Sequence, residues 1–459
     1  MDRAIEAGSK GGGSGEAGSG EAGSGEAGSI EARLAAVGLP PLPRTAWAEI
    51  DLDALAGNLA VIRRLAGAGV PVQPVVKADA YGHGALPIAL ALARAGADGF
   101  CVATFDEAVD LREGGVELPL LVLYPIPPAL AREAASLRIA VTAGDEQLLR
   151  ALLAAVGSSG AATAPLELQL EVETGLGRGG FAVDEIVGAA RAIVATAGAT
   201  LAGLWTHLQA AEHPARTAAQ QARFESAVAA LQAAGIPLPP RHLAASSGLL
   251  QDGVATYDGV RSGLATYGLV PDELLDGGGP VAGVPPDAAG LRPILSLRAR
   301  PVRVADVPAD WGISYGPTFT TTRPSRIATL PLGYGDGWPR SLSNRAAALV
   351  RGRRVPLVGN VAMDAVMADV TDVPGPPVTV ADEFVLIGEQ GDERITAADL
   401  AAARGTNSWE VVTGLAARLP RVYHAASAPR ELRTLTGHVR AGDGAGGGAG
   451  PRDRRSTRP

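Results

Sequence analysis

The first half of the chain alternates short apolar runs with alanine-rich stretches, and this alternation constrains the fold more than any other feature. Eight runs rich in leucine or β-branched residues predict strands at 72–77, 99–104, 118–124, 139–142, 166–173, 201–207, 241–246 and 257–261. Many of them are apolar almost throughout, as strands buried on both faces are. The alanine-rich stretches predict helices between them, and residues 52–65 predict a helix before the first strand. The pattern predicts an α/β fold with a (β/α)8 TIM barrel over residues 44–275.

The regular alternation stops near residue 268. Residues 276–290 are rich in glycine and proline and are interpreted as a linker. Residues 291–430 predict a separate C-terminal, mostly-β domain. Its predicted elements are strands at 294–304, 327–332, 347–357, 365–370 and 383–387 and helices at 397–404 and 409–419.

Both ends of the chain lack the apolar residues of a core. Residues 15–29 contain the pentapeptide GEAGS three times, and residues 1–39 are predicted to be a disordered Gly/Ser-rich tail. Residues 434–459 predict a second disordered tail. Because no signal peptide and no long apolar run is visible, the sequence predicts a cytoplasmic protein without a membrane span. The net charge of −8 argues against general nucleic-acid binding, and the single Cys101 excludes an intrachain disulfide.

Lysine is almost absent from the chain. Of the 40 basic residues, 38 are arginines, and only Lys10 and Lys77 are lysines. Lys77 follows an apolar run. A desolvated lysine can lose its proton, act as a base or form a Schiff base, which a guanidinium cannot do. The lysine therefore indicates either a chemical role or a remnant of an arginine-biased composition.

The residues that follow the predicted barrel strands are suited to bind a cofactor. Active-site groups of TIM barrels lie after the C-terminal ends of the strands. Here Lys77 ends the first strand, Arg178 follows the fifth, His207 ends the sixth and Arg261 ends the eighth. Small residues after strands seven and eight, including Ser247, can offer hydroxyls and amides to a phosphate. A lysine, an arginine and a phosphate cradle on one rim predict a site for pyridoxal 5'-phosphate (PLP).

Six short motifs resemble those of the alanine racemase family, in the family's order and at similar spacing. They are VVKADAYGHG around Lys77, TGLGR ending at Arg178, RSGLATYG starting at Arg261, SYG around Tyr315, GYGDGW around Tyr334, and the pair Met363 and Asp364. The resemblance covers roughly residues 44–425. Several motifs in order are far more specific than any single pattern.

The resemblance implies a PLP-dependent racemase that interconverts L- and D-alanine with two bases on opposite faces of the substrate. Lys77 would hold the cofactor as a Schiff base and serve as one base. Tyr315 would be the other, reaching the active site of a partner subunit, so the resemblance implies a homodimer with shared active sites.

The resemblance also implies the remaining contacts. Cofactor contacts are implied for Tyr81, His207, Ser247, Arg261, Gly263 and Leu264, and substrate contacts for Arg178, Met363 and Tyr334. Arg261 would hydrogen-bond the pyridine nitrogen. A guanidinium does not readily release a proton, so the ring nitrogen would stay largely unprotonated, which disfavours transamination. The histidines show no metal-ligand spacing, and no metal site is predicted.

Three positions depart from the common family pattern. Glu171 stands where many relatives carry a carbamylated lysine, and we interpret it as a carboxylate that pairs directly with Arg178; an ordinary strand glutamate is the alternative. Ala417 stands where a tyrosine commonly narrows the substrate pocket. Ala362 replaces a common cysteine, a change that is expected to alter little.

The sequence leaves several functions open. Ala417 makes serine, or a broader set of amino acids, an alternative substrate. A PLP-dependent decarboxylase is less compatible with Arg261, since such enzymes usually place an acidic group at the pyridine nitrogen. A non-catalytic PLP-binding protein of the single-barrel kind would lack the second domain. The pathway that the enzyme serves is not specified by these motifs.

Overall fold

The computed structural model describes residues 28–157, 164–276, 279–280 and 284–442. Most of the GEAGS repeats, and residues 443–459 of the predicted C-terminal tail, lie outside the described residues. Within the described ranges, no helix is both long and apolar enough to cross a membrane.

The N-terminal half contains the predicted barrel. Six parallel strands form one sheet in sequence order: Phe100–Val102, Leu120–Val122, Ile139–Ala143, Leu166–Glu171, Ala199–Trp205 and Arg241–His242. Isolated parallel bridges complete the ring, between Val75 and Cys101, Val72 and Val260, and Ala245 and Arg261. The fold class predicted from the alternation is therefore confirmed, and closure of the ring brings its first and last segments side by side.

The first and eighth predicted strands are less regular than expected. Residues 72–77 and 257–261 take part in single bridges rather than continuous ladders. Pro74 has no N–H to donate to a ladder, although the amide of Val75 still donates across the gap at 2.7 Å. In the eighth segment Tyr257 has a φ of 49°, which takes the chain out of the extended conformation.

Helices pack around these strands through their apolar faces. The helix Leu52–Ala66, predicted at 52–65, begins where Asp51 accepts a hydrogen bond from the Ala54 amide at 2.8 Å and ends at Gly67, whose φ is 99°. Lys77–Tyr81 forms a turn with left-handed backbone. The other α-helices of this half are Ala85–Arg94, Phe105–Glu113, Ala131–Ser136, Glu146–Gly157, Ile186–Val194, Pro214–Ala233 and Ser246–Leu249. Short 3-10 helices span Pro128–Leu130, Leu264–Tyr267, Asp272–Leu274 and Pro286–Gly290.

The C-terminal half is a mostly antiparallel 12-stranded sheet. Its strands are Ala46–Asp51, Leu295–Ala299, Arg303–Val307, Ser325–Leu330, Ala347–Val350, Arg353–Val358, Val366–Asp369, Phe384–Gln390, Glu393–Ile395, Arg421–Ala425, Ala428–Thr434 and Gly437–Arg440. Two 3-10 helices, Tyr334–Asp336 and Arg340–Leu342, and two α-helices, Ala397–Arg404 and Ser408–Thr413, accompany it. The second α-helix is shorter than the predicted 409–419.

Two strands predicted for this half are each divided into two. Residues 294–304 are interrupted at Pro301, which has no N–H for the ladder. Residues 347–357 form a hairpin instead of one strand. Its turn residues Arg351 and Gly352 have φ of 51° and 69°, the positive values that a type I′ hairpin turn requires.

The strand Ala46–Asp51, which the prediction includes in the barrel domain, belongs to the second sheet. This strand pairs antiparallel with Leu295–Ala299 and parallel with Arg421–Ala425. The chain thus begins one domain, crosses to build the barrel and returns. Residues 276–290, the predicted linker, contain a short strand pair, Leu275–Asp276 with Gly279–Pro280, before a 3-10 helix.

The predicted tails are also shorter than expected where the structure describes them. Ile30–Ala36 is a helix whose residues Ile30 and Leu34 are buried against Trp47, Val422 and Leu432 of the sheet. Gly437–Arg440 is a strand that pairs with Ala428–Thr434. These segments contain few apolar residues, so the sequence gives little sign of their structure. The helix packs its side chains on the sheet, and the strand pairs its backbone with the edge of the sheet.

Candidate active site

The mouth of the barrel contains a cavity of about 310 Å³. Eight residues predicted from the sequence line it: Lys77, Tyr81, Arg178, His207, Ser247, Arg261, Gly263 and Leu264. They follow different strand positions, so closure of the barrel brings them together. Trp409 and Thr413, from the C-terminal half, also line the cavity. Sequence reasoning missed these two because no motif marks them.

Lys77 begins a turn with an unusual backbone. The four residues after it have φ between 52° and 54°, a left-handed conformation that costs a non-glycine residue about 1–2 kcal/mol. Such a turn persists only when its surroundings hold it. On the barrel side, the Ala78 amide donates to Glu107 at 2.6 Å, and the carboxylate of Asp79 accepts from the Ala85 amide at 2.8 Å.

The C-terminal hairpin of the β-rich half also holds this turn. Three of its side chains contact the turn or the residues just after it: Arg421 donates to Gly82 O at 2.8 Å, Tyr423 to His83 O at 2.9 Å, and Arg433 to Asp79 at 2.7 Å. Sequence reasoning missed all three hairpin residues. Arg433 and Asp79 are 354 positions apart, and no local pattern indicates a contact at that separation.

The environment of Lys77 shifts its protonation equilibrium toward the neutral form. Burial lowers the pKa of Lys77 below its ordinary value, and the positive charges of Arg178 and Arg261 lower it further, while Glu107 acts in the opposite direction. A lysine with a lowered pKa can act as a nucleophile and can exchange a proton with a substrate. The sequence suggested that Lys77 could lose its proton, and its burial and neighbouring charges provide the physical basis for that suggestion.

Arg261 is buried and held in one orientation. It donates to the backbone carbonyls of Thr206, His242 and Leu243 at 2.8, 3.1 and 3.4 Å, and it also contacts His242 Nδ1. Because a guanidinium only donates, His242 Nδ1 accepts, and His242 Nε2 carries the proton that it donates to Gln169 at 2.7 Å. Burial lowers the pKa of Arg261 to about 10, so it stays charged at neutral pH.

His207 lies beside Arg261 in the same cavity. Its Nδ1 is 3.4 Å from Arg261 Nη2. Burial, reinforced by the charges of Arg261 and Arg178, lowers the pKa of His207 to about 3. The imidazole is therefore neutral under ordinary conditions, and it contributes a planar ring rather than a charge.

The start of two short helices offers a cradle for a phosphate. The first amides of Ser246–Leu249 and Leu264–Tyr267 have no carbonyl partner within their own helices, and helix amino ends attract anions. Between them, a Cβ added to Gly263 would lie 2.7 Å from the Tyr81 hydroxyl. A side chain at this position would therefore displace the Tyr81 hydroxyl. The residues present therefore fit a cofactor that carries a phosphate and bonds to a lysine.

Ser247 lies in the cavity, but its hydroxyl already has a partner. Ser247 Oγ donates to Glu273 at 2.7 Å. The adjacent Asp272 accepts from Ser408 Oγ at 2.6 Å, which ties this loop to the C-terminal half. To donate to an anion, the Ser247 hydroxyl has to rotate away from Glu273.

Glu171 does not line the cavity but lies behind Arg178. The two side chains approach to 3.5 Å between Glu171 Oε1 and Arg178 Nη2, and Glu171 is buried. Burial raises the pKa of Glu171, and Arg178 opposes that effect. Arg178 also lies over the ring of Tyr124, 5.8 Å from its centroid.

The remaining predicted residues lie elsewhere, in the β-rich half. Tyr315, Tyr334 and Met363 line a separate depression of about 720 Å³. All three are exposed, at 77%, 44% and 53% of their surface. The structure therefore does not bring them to the barrel cavity of their own chain.

The backbone beneath this depression is nonetheless firmly held. Asn360 Nδ2 donates to Tyr315 O at 2.9 Å, and the Tyr334 amide donates to the carbonyl of Ala362 at 3.0 Å. The buried Asp336 accepts hydrogen bonds from Arg44 and Arg418, both at 2.6 Å. The side chains of the depression are exposed on a rigid backbone.

Ala417 lines a groove next to the cavity rather than the cavity itself. The groove measures about 1240 Å³, and Tyr124 lines both spaces. The expectation that alanine at this position leaves extra room therefore applies to the neighbouring groove within a single chain.

Two further possibilities, a reactive cysteine and a metal site, find no support in the described residues. Cys101 is fully buried in the barrel, and burial raises the pKa of its thiol to about 12. In the part of the chain that the structure describes, no three His, Cys, Asp or Glu residues are arranged to hold a metal ion.

Comparison with known proteins identifies the family. The family model of the alanine racemase N-terminal domain matches residues 50–271, and that of the C-terminal domain matches residues 294–423. An alanine racemase of Symbiobacterium thermophilum is 42% identical over 382 residues, which cover 83% of this chain and 97% of that protein.

Solved structures give the same result. The alanine racemase of Streptomyces coelicolor superimposes with a TM-score of 0.74 at 37% identity and covers 83% of this chain and 98% of its own. A histidine racemase of Leuconostoc mesenteroides also superimposes with a TM-score of 0.74, at 28% identity, and covers 84% of this chain and 99% of its own. With both domain models matched in order around this cavity, the chain belongs to the alanine racemase family.

Proposed function

We propose that this protein is a PLP-dependent racemase that interconverts L- and D-alanine. Membership of the alanine racemase family supports this activity. The observation that carries the proposal is the environment of Lys77, a lysine of lowered pKa in a cavity beside Arg178 and Arg261. PLP, when bound, supplies a conjugated ring that spreads the negative charge developing on the substrate α-carbon.

The cavity contains the groups that would hold this cofactor. Lys77 would bind it covalently, and the phosphate would lie at the helix starts near Gly263 and Leu264, with the hydroxyls of Tyr81 and Ser247 as further donors. Burial raises the pKa of Tyr81 well above its ordinary value, so its hydroxyl keeps its proton and can donate it to a phosphate oxygen.

Arg261 and His207 would set the electrostatics of the ring. Arg261, held by Thr206, His242 and Leu243, would donate to the pyridine nitrogen and leave it without a proton. The neutral His207 would pack against the ring. This arrangement favours exchange of the α-proton over reactions that need a protonated ring.

Arg178 would hold the substrate carboxylate. A guanidinium suits a carboxylate because it can donate two parallel hydrogen bonds. We propose that Glu171 orients Arg178 directly, as a positioning residue, from 3.5 Å behind it. In this chain a glutamate would thus serve where many relatives use a carbamylated lysine.

Racemisation requires a proton to leave one face of the α-carbon and another to arrive on the opposite face. Lys77 would act on one face. We infer that Tyr315 of the partner subunit acts on the other in a homodimer, with Met363 and Tyr334 of the partner subunit beside it. Their exposure of 77%, 53% and 44% in their own chain supports a role in a neighbouring cavity.

A racemase of larger amino acids is the second candidate. Ala417 is small, and the groove that it lines shares Tyr124 with the cavity, so a longer substrate side chain would find room. A structural neighbour named as a histidine racemase shows that this architecture accommodates another substrate.

The test is α-proton exchange in D2O with purified enzyme. L-alanine, L-serine and L-histidine are supplied separately, and Lys77→Ala is the control. We expect α-deuterated D-alanine to form fastest and no product with the control. Faster turnover of serine or histidine would replace alanine as the substrate, and a PLP absorbance band without any D-product would contradict racemase activity.

A further inference from the structure

A second cavity lies between the two halves of the molecule. It measures about 480 Å³, within the range of small-molecule sites. The barrel contributes Tyr267 and His83 to its wall, and the β-rich half contributes Arg394 and Glu389. None of the residues in the proposed racemase mechanism lines it.

Opposite charges line this cavity. Arg394 and Glu389 lie directly across from each other on neighbouring strands, and Arg292 lines the same space. Within the described residues, none of these three side chains forms an ion pair shorter than 4.0 Å. The lining can thus hold a carboxylate and an ammonium group together.

His83 adds a buried acceptor that has no donor. Its Nδ1 lies 2.8 Å from Ala80 O, and because a carbonyl only accepts, Nδ1 carries the proton and Nε2 presents a lone pair. Burial lowers the pKa of His83 to about 4, so the ring is neutral. His83 is 1% exposed, and among the described residues Nε2 has no hydrogen-bond partner. A buried group in this state is stabilised by any ligand that donates to it.

We propose that this cavity binds a free amino acid as an effector. Arg292 and Arg394 would hold its carboxylate, while Glu389 and His83 Nε2 would accept hydrogen bonds from its ammonium group. An amino acid supplies both charges and an N–H donor within the size of the cavity, which a simple anion does not.

An occupant of this cavity would act on the turn that carries Lys77. The imidazole of His83 stacks on Tyr267 at 4.6 Å, and the Tyr267 ring lies 5.0 Å from that of Tyr81 in the barrel cavity. His83 also donates to Ala80, inside the left-handed turn. A donor on His83 Nε2 would fix this imidazole and, through it, the turn. This effect on rate rests on the proposed racemase activity, whereas binding to the cavity does not.

The binding test is calorimetric titration of the cofactor-loaded enzyme with L-proline. Proline is a secondary amine and cannot exchange into a neutral imine with PLP, but it retains a carboxylate and two N–H donors. Its N,N-dimethyl derivative keeps both charges and lacks N–H. We expect the dimethyl derivative and the Arg394→Gln variant each to bind about tenfold more weakly, as loss of a charge-assisted hydrogen bond predicts.

Two controls locate the binding. Arg303→Gln removes another exposed arginine of the same half that forms no ion pair in the described structure, and it should bind proline normally. Arg178→Gln removes the carboxylate anchor of the barrel cavity and should also retain binding. Three results would overturn the proposal: no binding of proline, equal binding of both probes, or loss of binding in Arg178→Gln but not in Arg394→Gln.

The rate test measures racemisation of L-alanine with increasing L-proline. We expect kcat/KM to rise about fivefold, the lower end of usual couplings between sites. Arg394→Gln should lose this response. Inhibition by proline in both the wild type and Arg394→Gln would place proline in the barrel cavity and overturn the regulatory effect. An enzyme that is inactive on alanine would still give a valid result in the titration.

Discussion

The barrel cavity and the β-rich depression contribute to the proposed site in opposite ways. In the barrel, Arg261 is buried and its guanidinium contacts several partners. In the depression, Tyr315 is 77% exposed, and only the backbone around it is held. The barrel groups are thus buried within the chain, while the side chains of the depression are exposed.

The difference follows from the surroundings that each proposed catalytic group requires. Burial and neighbouring cations lower the pKa of a lysine, and both cations, Arg178 and Arg261, come from the barrel of the same chain. A base on the opposite face of a substrate cannot come from the same wall of the cavity. In the proposed homodimer a second subunit supplies this base, so activity would depend on assembly, and the following variants test this proposal.

The largest effect should come from Lys77, on the barrel side. Lys77→Ala removes a base and the covalent attachment point, and we expect kcat/KM for L-alanine to fall at least about 10⁴-fold. Lys77→Arg should be equally impaired, because arginine keeps its proton. An active Lys77→Arg enzyme would mean that only the positive charge matters. Steady-state racemisation assays measure both variants.

Tyr315→Phe should cost about 10²–10⁴-fold in kcat, since it removes one proton-transfer group. The informative measurement mixes it with Lys77→Ala. If sites are shared across a two-fold dimer, equal amounts after subunit exchange should regain about a quarter of wild-type activity, because half of the dimers are mixed and each has one intact site. No recovery in subunits shown to exchange would mean that each site lies within one chain.

Arg433→Gln tests whether the β-rich half positions the barrel lysine. Loss of the ion pair with Asp79, 2.7 Å long, should relax the left-handed turn and lower kcat about tenfold, as misplaced catalytic groups do. Arg440→Gln, in the neighbouring strand Gly437–Arg440 and paired with Glu431, is the control and should keep its kcat. Equal loss in both variants would indicate general destabilisation instead.

Glu171→Gln should mainly affect substrate binding, with KM for L-alanine rising about fivefold through a less well oriented Arg178. Burial raises the pKa of Glu171, so its carboxylate becomes protonated at a higher pH than an ordinary glutamate. The wild-type KM should therefore rise as the pH falls toward that pKa. The rise should be absent in Glu171→Gln and present in Glu167→Gln, an exposed residue of the same strand. Unchanged kinetics in Glu171→Gln would refute the proposal.

The smallest effect on catalysis should come from the helix Ile30–Ala36. Leu34→Ala removes a fully buried side chain and should destabilise the folded state by about 2–4 kcal/mol, as buried leucine truncations do. Its Tm should fall while kcat/KM stays at the wild-type value. Val302→Ala, at a position 59% exposed, should change neither. A change in kinetics with Leu34→Ala would give the helix a part in the site.

Most of the barrel site could be predicted from the sequence because it depends on local order. Each group follows a strand, strands enter a barrel in sequence order, and closure puts the first beside the last. For that reason the sequence predicts Lys77, Arg178, His207 and Arg261 in one cavity, and all four line it.

The contacts that hold the site were beyond the sequence. Trp409 and Thr413 enter the cavity from another domain, and Arg433 meets Asp79 across 354 positions. The segment 46–51 is predicted to lie in the barrel domain and the segment 30–36 in a disordered tail, but both contact residues hundreds of positions away. Their own residues do not specify which sheet they join.

By itself, then, the sequence determined the barrel, the β-rich second domain and the chemical groups of the barrel cavity, because periodicity and strand-end positions are local properties. The tertiary structure alone decided that the left-handed turn after Lys77 is held by the C-terminal hairpin. It also decided that His83 Nε2 has no hydrogen-bond partner among the described residues and that Tyr315 is exposed in a depression separate from the barrel cavity. Those facts depend on long-range packing, where the same residue can be paired, buried or exposed according to what the rest of the chain places beside it.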